Sequence, residues 1–345
     1  MDGDKRIEYI DLMKGFCIIL VVMHHSEFIS DVEHGNRFMH ALLVGRMPLY
    51  FFLSGLFFKD YGSFRRFFAR KFRNLIVPIL VFAPLGGFLM QAVPWREWSW
   101  GVVTAPAQWL AYMTTFTNVP LWFLRALFLS LLMVYGLHRL TVAMNGRTWA
   151  ATAVALSLSI GIYGFAHHLP ELSELQRKIV LRSGLFHAAE GLIFVWSGYL
   201  ARRAGLLSLR HDSKGYGVAA IAGVACAGIC ALMPLGSISW YLMDMGVTYP
   251  ALIINAFSTT AFVWALSFVL QRLPYVSYMG RYSIVVLCTH YPLLRILNNA
   301  FHPEPAVTLC IILALMPAII YACVRWLPWA CAQPPRPRTA QTPEA

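Results

Sequence analysis

Ten stretches of mainly apolar residues recur along this chain, and nothing else in it limits the fold so much. About twenty such residues are what an α-helix needs to cross the hydrocarbon of a bilayer. The stretches run 12–29, 41–58, 75–93, 122–138, 148–165, 184–201, 215–234, 248–270, 281–299 and 305–328. Of 345 residues 58% are hydrophobic and 13% charged, and mean hydropathy is +0.59, which exceeds what one soluble core can hide. In hydrocarbon the backbone must satisfy its own hydrogen bonds, so the stretches predict helices. The expected fold is all-α, a polytopic membrane helix bundle of about ten transmembrane helices.

A net charge of +12 would by itself suggest nucleic acid, but the basic residues sort by side of the membrane. With the N-terminus in the cytoplasm, 20 of the 28 Lys and Arg fall on inner segments: Lys5, Arg6, Lys14, the six from Lys59 to Arg73, and Arg139, Arg147, Arg202, Arg203, Arg210, Lys214, Arg272, Arg281, Arg325, Arg336 and Arg338. Asp31, Glu33, Glu97, Glu171, Glu174, Asp244 and Glu304 fall with the minority. Both termini are therefore expected in the cytoplasm, membrane lipids are the expected surroundings, and nucleic acid is not an expected partner. The first stretch reaches Ile29 without a small-x-small cleavage site and reads as a retained helix. Residues 95–120, aromatic and broken by Pro106, read as interfacial or re-entrant. The seven cysteines read as small buried hydrophobes. Residues 1–330 are expected to form one transmembrane domain, and 331–345, with the Pro- and Thr-rich AQPPRPRTAQTPEA, a disordered cytoplasmic tail.

An ionisable side chain inside hydrocarbon is costly enough to mark function by default. In EYIDLMKGFCIILVVMHHSEF, Asp11, Lys14 and His25 share a stripe. Eleven residues make three turns plus about 20°, which returns His25 to the face of Lys14 about 16 Å further on, while His24 lies about 100° away. The stripe serves either chemistry or anchoring at the two interfaces. Arg65, Arg66, Arg70, Lys71 and Arg73 fit either a lipid contact or a pocket for a phosphorylated ligand, because guanidinium forks grip phosphate oxygens in pairs. Arg125, three residues after Trp122, is an anchor or a polar group in need of a partner. His187 and Glu190 share a helix face, either as glue between helices or as a catalytic pair, and His290 is equally open. The absence of GxSxG, P-loop, HExxH and dinucleotide signatures argues against a nucleotide-hydrolysing pump.

At these residues the sequence resembles the acyltransferase-3 family, integral membrane O-acyltransferases that decorate bacterial polysaccharides and other envelope molecules. The resemblance covers most of residues 6–328 through IDLMKGFCIILVVMHH, RMPLYFFLSGLFF, FARKFRNLIVP, PLWFLRALFL and YMGRYSIVVLCTHYPLL, in that order. It implies that Lys14 and His25 are the family's basic residue and histidine of the first helix, with Lys where many members carry Arg. It implies that Arg70, Lys71 and Arg73 handle an acyl-CoA donor, most often acetyl-CoA, and that Trp122, Phe123 and Leu124 are the family's Trp-Phe-Leu. It further implies a multi-pass protein of the bacterial cytoplasmic (inner) membrane, limited to the membrane module. On that footing His25 is the expected general base on a hydroxyl of an envelope glycan or lipid-linked saccharide. Lys14, held by Asp11, positions the donor; Arg125 steadies the oxyanion, with Trp122 and Glu190 on the acceptor side. No metal is expected, and direct transfer and an acyl-histidine route both stay open. The competing reading is a transporter or flippase of saccharide precursors, with the same charges as its pathway; the lack of evident repeat halves and the basic motif weigh against it.

Overall fold

The structure, a computed structural model, describes residues 7–28, 36–91, 119–209, 211–233, 235–236 and 238–332. In chain order the helices are α1 Glu8–His25, α2 Arg37–Leu56, α3 Phe64–Lys71, α4 Val77–Gln91, α5 Trp122–Ala143, α6 Trp149–Ala166 and α7 Glu174–Ser183. There follow α8 Leu185–Arg203, α9 Ser213–Leu232, α10 Tyr249–Leu270, α11 Pro274–Arg281, α12 Ser283–Phe301 and α13 Pro305–Trp326. Each of the ten apolar stretches coincides with a helix. Among the described residues seven helices are long and apolar enough to cross a bilayer, or eight if α7 and α8, bent by 41° at Gly184, make one span. α1 and α12 lie outside that set because polar side chains interrupt their apolar run. The molecule is an all-α polytopic bundle; its strands among the described residues are β1 Ile238–Ser239 and β2 Asp244–Met245, an antiparallel hairpin pairing Ile238 with Met245 and Ser239 with Asp244.

Of the expected interfacial segment 95–120 only Val119 and Pro120 are described, in the 3₁₀ turn Val119–Leu121 that leads into α5. The closing residues 333–345 also lie outside the described residues. Before them the chain turns back after α13 and buries Ala330 and Cys331, so the packed part extends past residue 330. No disulfide links any of the seven cysteines.

α2 is the centre of the bundle, with 83% of its spanning window buried, against 11% for α9. On α9, Ile221, Val224 and Leu232 stand about three-quarters exposed, a surface that hydrocarbon covers without penalty. Glycines set the closest crossings. A Cβ on Gly55 would lie 1.8 Å from the Val195 carbonyl oxygen, and one on Gly198 2.0 Å from that of Phe52, so α2 and α8 meet backbone to backbone. Gly15 against Val276 (2.0 Å) and Gly280 against Asp11 (1.8 Å) do the same for α1 and α11. Small residues at such crossings let transmembrane helices gain van der Waals contact where no hydrophobic drive exists. The second crossing fixes the helix that carries Asp11, Lys14 and His25.

Candidate active site

α1, α2, α5 and α12 frame the site, and two cavities lie along them. The larger, about 630 Å³, is lined by Val21, His24 and His25 at the end of α1, by Arg37, His40 and Arg46 on α2, by Trp122 and Phe123 on α5, and by Leu287 on α12. The smaller, about 280 Å³, is lined by Lys14 on α1, Tyr50 and Ser54 on α2, Phe123 and Leu127 on α5, and Ser283 and Leu287 on α12. On α1 and α2, antiparallel neighbours, the residues of one cavity are offset by one or more turns from those of the other. The cavities are therefore stacked along the bundle axis, and Phe123 and Leu287, which line both, form the wall between them.

The smaller cavity collects the basic motif. Ser63 caps α3, accepting from Arg66 N at 3.4 Å, and the five-residue π-helix Phe72–Ile76 then joins α3 to α4. Wide turns of this kind re-aim side chains and recur at functional sites. Here Lys71, Asn74 and Leu75 face the cavity, Arg73 stays exposed, and Arg70 stacks on Tyr61 with its guanidinium 4.8 Å from the ring centre. Lys14 Nζ lies 5.0 Å from the centre of the Phe57 ring. Lys14 and Lys71, distant in sequence, thus share one chamber.

The larger cavity is closed by the hairpin, which the sequence reading missed. Trp240 is buried and its indole N–H donates to the Val44 carbonyl at 2.8 Å. His187 Nε2 donates to the Tyr241 carbonyl and His40 Nε2 to that of Gly236, each at 3.0 Å. His187 therefore holds the hairpin and packs on Trp122, ring centres 4.8 Å apart, instead of pairing with Glu190 along its own helix. A Trp-Tyr pair a few residues after Gly236 is the one local sequence signal of this cap.

His25 lies against three aromatic neighbours: His24 at 5.2 Å between ring centres, His290 at 5.4 Å and Tyr291 at 5.5 Å. His24, expected on another face, lines the same cavity, because the chamber wraps the open end of α1. Arg46 is buried beside them, donates to the Leu43 carbonyl, and turns its own carbonyl to the Cys17 thiol at 3.0 Å. In the sequence Arg46 falls inside the second apolar stretch, 41–58. Trp122 lines the cavity. Arg125 and Glu190 do not: Arg125 Nη1 donates to the Arg182 carbonyl at 3.0 Å, at the end of α7, and Glu190 is buried within α8. Asp11 is half-buried on α1, one turn from Lys14, with its carbonyl against Gly280. Among the described residues no group of three or more His, Cys, Asp or Glu is placed to hold a metal ion.

Imidazoles and cations lining two stacked chambers inside an apolar helix bundle define an integral membrane protein with a polar site buried among its helices. A family model described as an acyltransferase domain matches residues 7–325. The chain belongs to that family, acyltransferase-3, and is a membrane acyltransferase. Comparison with curated proteins and with solved structures finds no match.

Proposed function

We propose that this protein transfers an acyl group, in the first instance acetyl, from cytoplasmic acyl-CoA to a hydroxyl of an envelope glycan or lipid-linked saccharide, in a bacterial inner membrane. The observation that carries the proposal is the stacking of a lysine-lined chamber and a histidine-lined chamber across one thin wall. The distribution of Lys and Arg along the sequence supports a cytoplasmic position for the Lys14 end. Lys14 and Lys71 then receive donor phosphates at the chamber, with Arg70 and Arg73 at its approach. The thioester extends toward the wall and the acceptor enters the larger chamber, where Trp122 and Trp240 offer aromatic faces to a sugar ring.

His25 takes the proton of the acceptor hydroxyl as its oxygen attacks the thioester carbonyl. The C–O bond forms, the C–S bond breaks, and His25 passes the proton to the leaving sulfur, giving ester and free CoA thiol. Arg46, in the chamber with His25, is the cation suited to the developing oxyanion. Arg125, given that role from the sequence, is engaged with the end of α7 instead. Asp11 is retained as the residue that steadies Lys14.

The test is CoA release by the purified protein in nanodiscs, with and without an envelope-glycan acceptor, for wild type and His25→Ala. Release that depends on acceptor and falls by at least about a hundredfold in a folded His25→Ala protein is the expected result. A folded wild type that neither binds nor consumes acyl-CoA defeats the donor assignment and points to the transporter reading.

A further inference from the structure

One buried group that this reaction scheme leaves idle touches its central residue. His290 on α12 is fully buried, its ring centre 5.4 Å from that of His25 with the planes at 40°. His290 Nδ1 lies 2.8 Å from the Val286 carbonyl oxygen. A carbonyl only accepts, so Nδ1 carries the hydrogen, and Nε2 of the neutral ring is left as an acceptor. That nitrogen is buried and has no hydrogen-bond partner. An unsatisfied buried acceptor is destabilising, and where one is kept it calls for an explanation. A linear N–H···N bond between two imidazoles sets ring centres about 5 Å apart, close to the spacing seen. A histidine base usually owes its tautomer to a carboxylate or carbonyl behind it. Among the described residues no carboxylate lines the chamber of His25; the side chains facing that ring are His24 from its own helix, Arg46 from α2, and His290 and Tyr291 from α12.

We propose that His290 is the positioning residue for His25: a small turn of the two rings lets its Nε2, which makes no bond in the structure as it stands, accept the N–H of His25, which fixes the tautomer and leaves the other His25 nitrogen as a lone pair toward the acceptor hydroxyl. This deepens the acyltransfer reading and rests on it for its kinetic consequence. His290 takes up no proton in the cycle. The proton moves from hydroxyl to His25 to sulfur, while His290 Nε2 stabilises the imidazolium that forms between the two transfers.

The experiment pairs kinetics with spectroscopy. His290→Phe keeps ring volume and removes the acceptor; His290→Gln restores an acceptor oxygen without a titrating ring. In His290→Phe we expect kcat to fall about a hundredfold with KM for acyl-CoA unchanged and the acid limb of the pH–rate profile displaced, and in His290→Gln we expect at least about tenfold of that loss to return. The ¹⁵N spectrum of the His25 ring in wild-type protein in nanodiscs should show a single tautomer with a hydrogen-bonded N–H, and a tautomer mixture in His290→Phe. Equal loss in both variants with an unmoved profile, or a wild-type His25 that already exchanges between tautomers, overturns the proposal. If wild type consumes no acyl-CoA, the acyltransfer reading fails on its own, and the wild-type spectrum alone decides whether the two histidines are paired.

Discussion

Lys71 and Arg73 stand two residues apart in one basic motif yet in different surroundings. Lys71 lines the smaller chamber, whereas Arg73 is exposed beyond it. An exposed cation in water gains little from a bound anion, and salt screens it further; inside a chamber walled by apolar side chains the same charge acts through a lower dielectric. Lys71→Ala is therefore expected to raise KM for acyl-CoA about tenfold, roughly 1.4 kcal/mol of lost binding, and Arg73→Ala by less than about threefold with a larger part removed by salt. Steady-state kinetics at two ionic strengths check this, and equal effects of the two substitutions would sink the assignment of the chamber to the donor. The sequence made Lys14 and His25 legible because helical periodicity and the family's motifs both select them, and Trp122 through the motif alone. Arg46 and His290 were present in the same apolar stretches but could not be ranked, since only the packing of α2 and α12 against α1 brings them to His25.

At the scale of elements, the apolar stretches predicted the helices well, because in hydrocarbon a long apolar run has no other way to satisfy its backbone. The π-helix and the hairpin were invisible for the opposite reason: five residues inside a continuing helix and two-residue strands carry no hydrophobic period of their own. The crossings were equally silent in a reading by hydropathy, which does not distinguish a glycine that faces lipid from one that touches a neighbouring backbone. The structure separates them. Gly198→Ala places a methyl 2.0 Å from the Phe52 carbonyl oxygen, and Gly280→Ala one 1.8 Å from that of Asp11. Gly161 and Gly217 have no atom within 4 Å of an added Cβ. Substituting either crossing glycine is expected to cost about 1–3 kcal/mol and lower the melting temperature in detergent, whereas Gly161→Ala leaves it unchanged within about 1 °C. Because α11 seats α1, Gly280→Ala should also depress acyl transfer more than Gly198→Ala does at matched fractions of folded protein. Thermal melts and turnover on the same preparations test both parts, and indifference of Gly280→Ala in both would mean that the α1–α11 contact is looser than the structure has it.

For the whole molecule, the arrangement of chambers matters more than any one of their residues. A thioester is open to hydrolysis wherever water reaches it, so an enzyme that presents one cytoplasmic substrate to a second from the far side must keep the two compartments apart except through the reacting atoms. On the proposed reaction Phe123 would serve that end: it is 2% exposed, lines both chambers, and packs edge-on against Phe51 at 5.0 Å and obliquely on Tyr50 at 5.5 Å. Leu287 from α12 completes the wall. Shortening the wall without removing its apolar character isolates this role from folding, and Phe123→Leu does so at a stability cost of about 1 kcal/mol. The variant is expected to retain acyl-CoA binding, to release CoA without acceptor several-fold faster than wild type, on the order of fivefold, and to transfer less acyl group per CoA released. In sealed proteoliposomes wild type should accept acyl-CoA from one face only, the face of Lys14 and Lys71, and Phe123→Leu should keep that sidedness, since the wall limits water and not the donor chamber. Measuring ester formed against CoA released, with donor supplied to either face, reads both effects at once. A Phe123→Leu protein with wild-type coupling would show that the chambers are separated elsewhere, and donor use from both faces would show that they do not divide the bilayer at all.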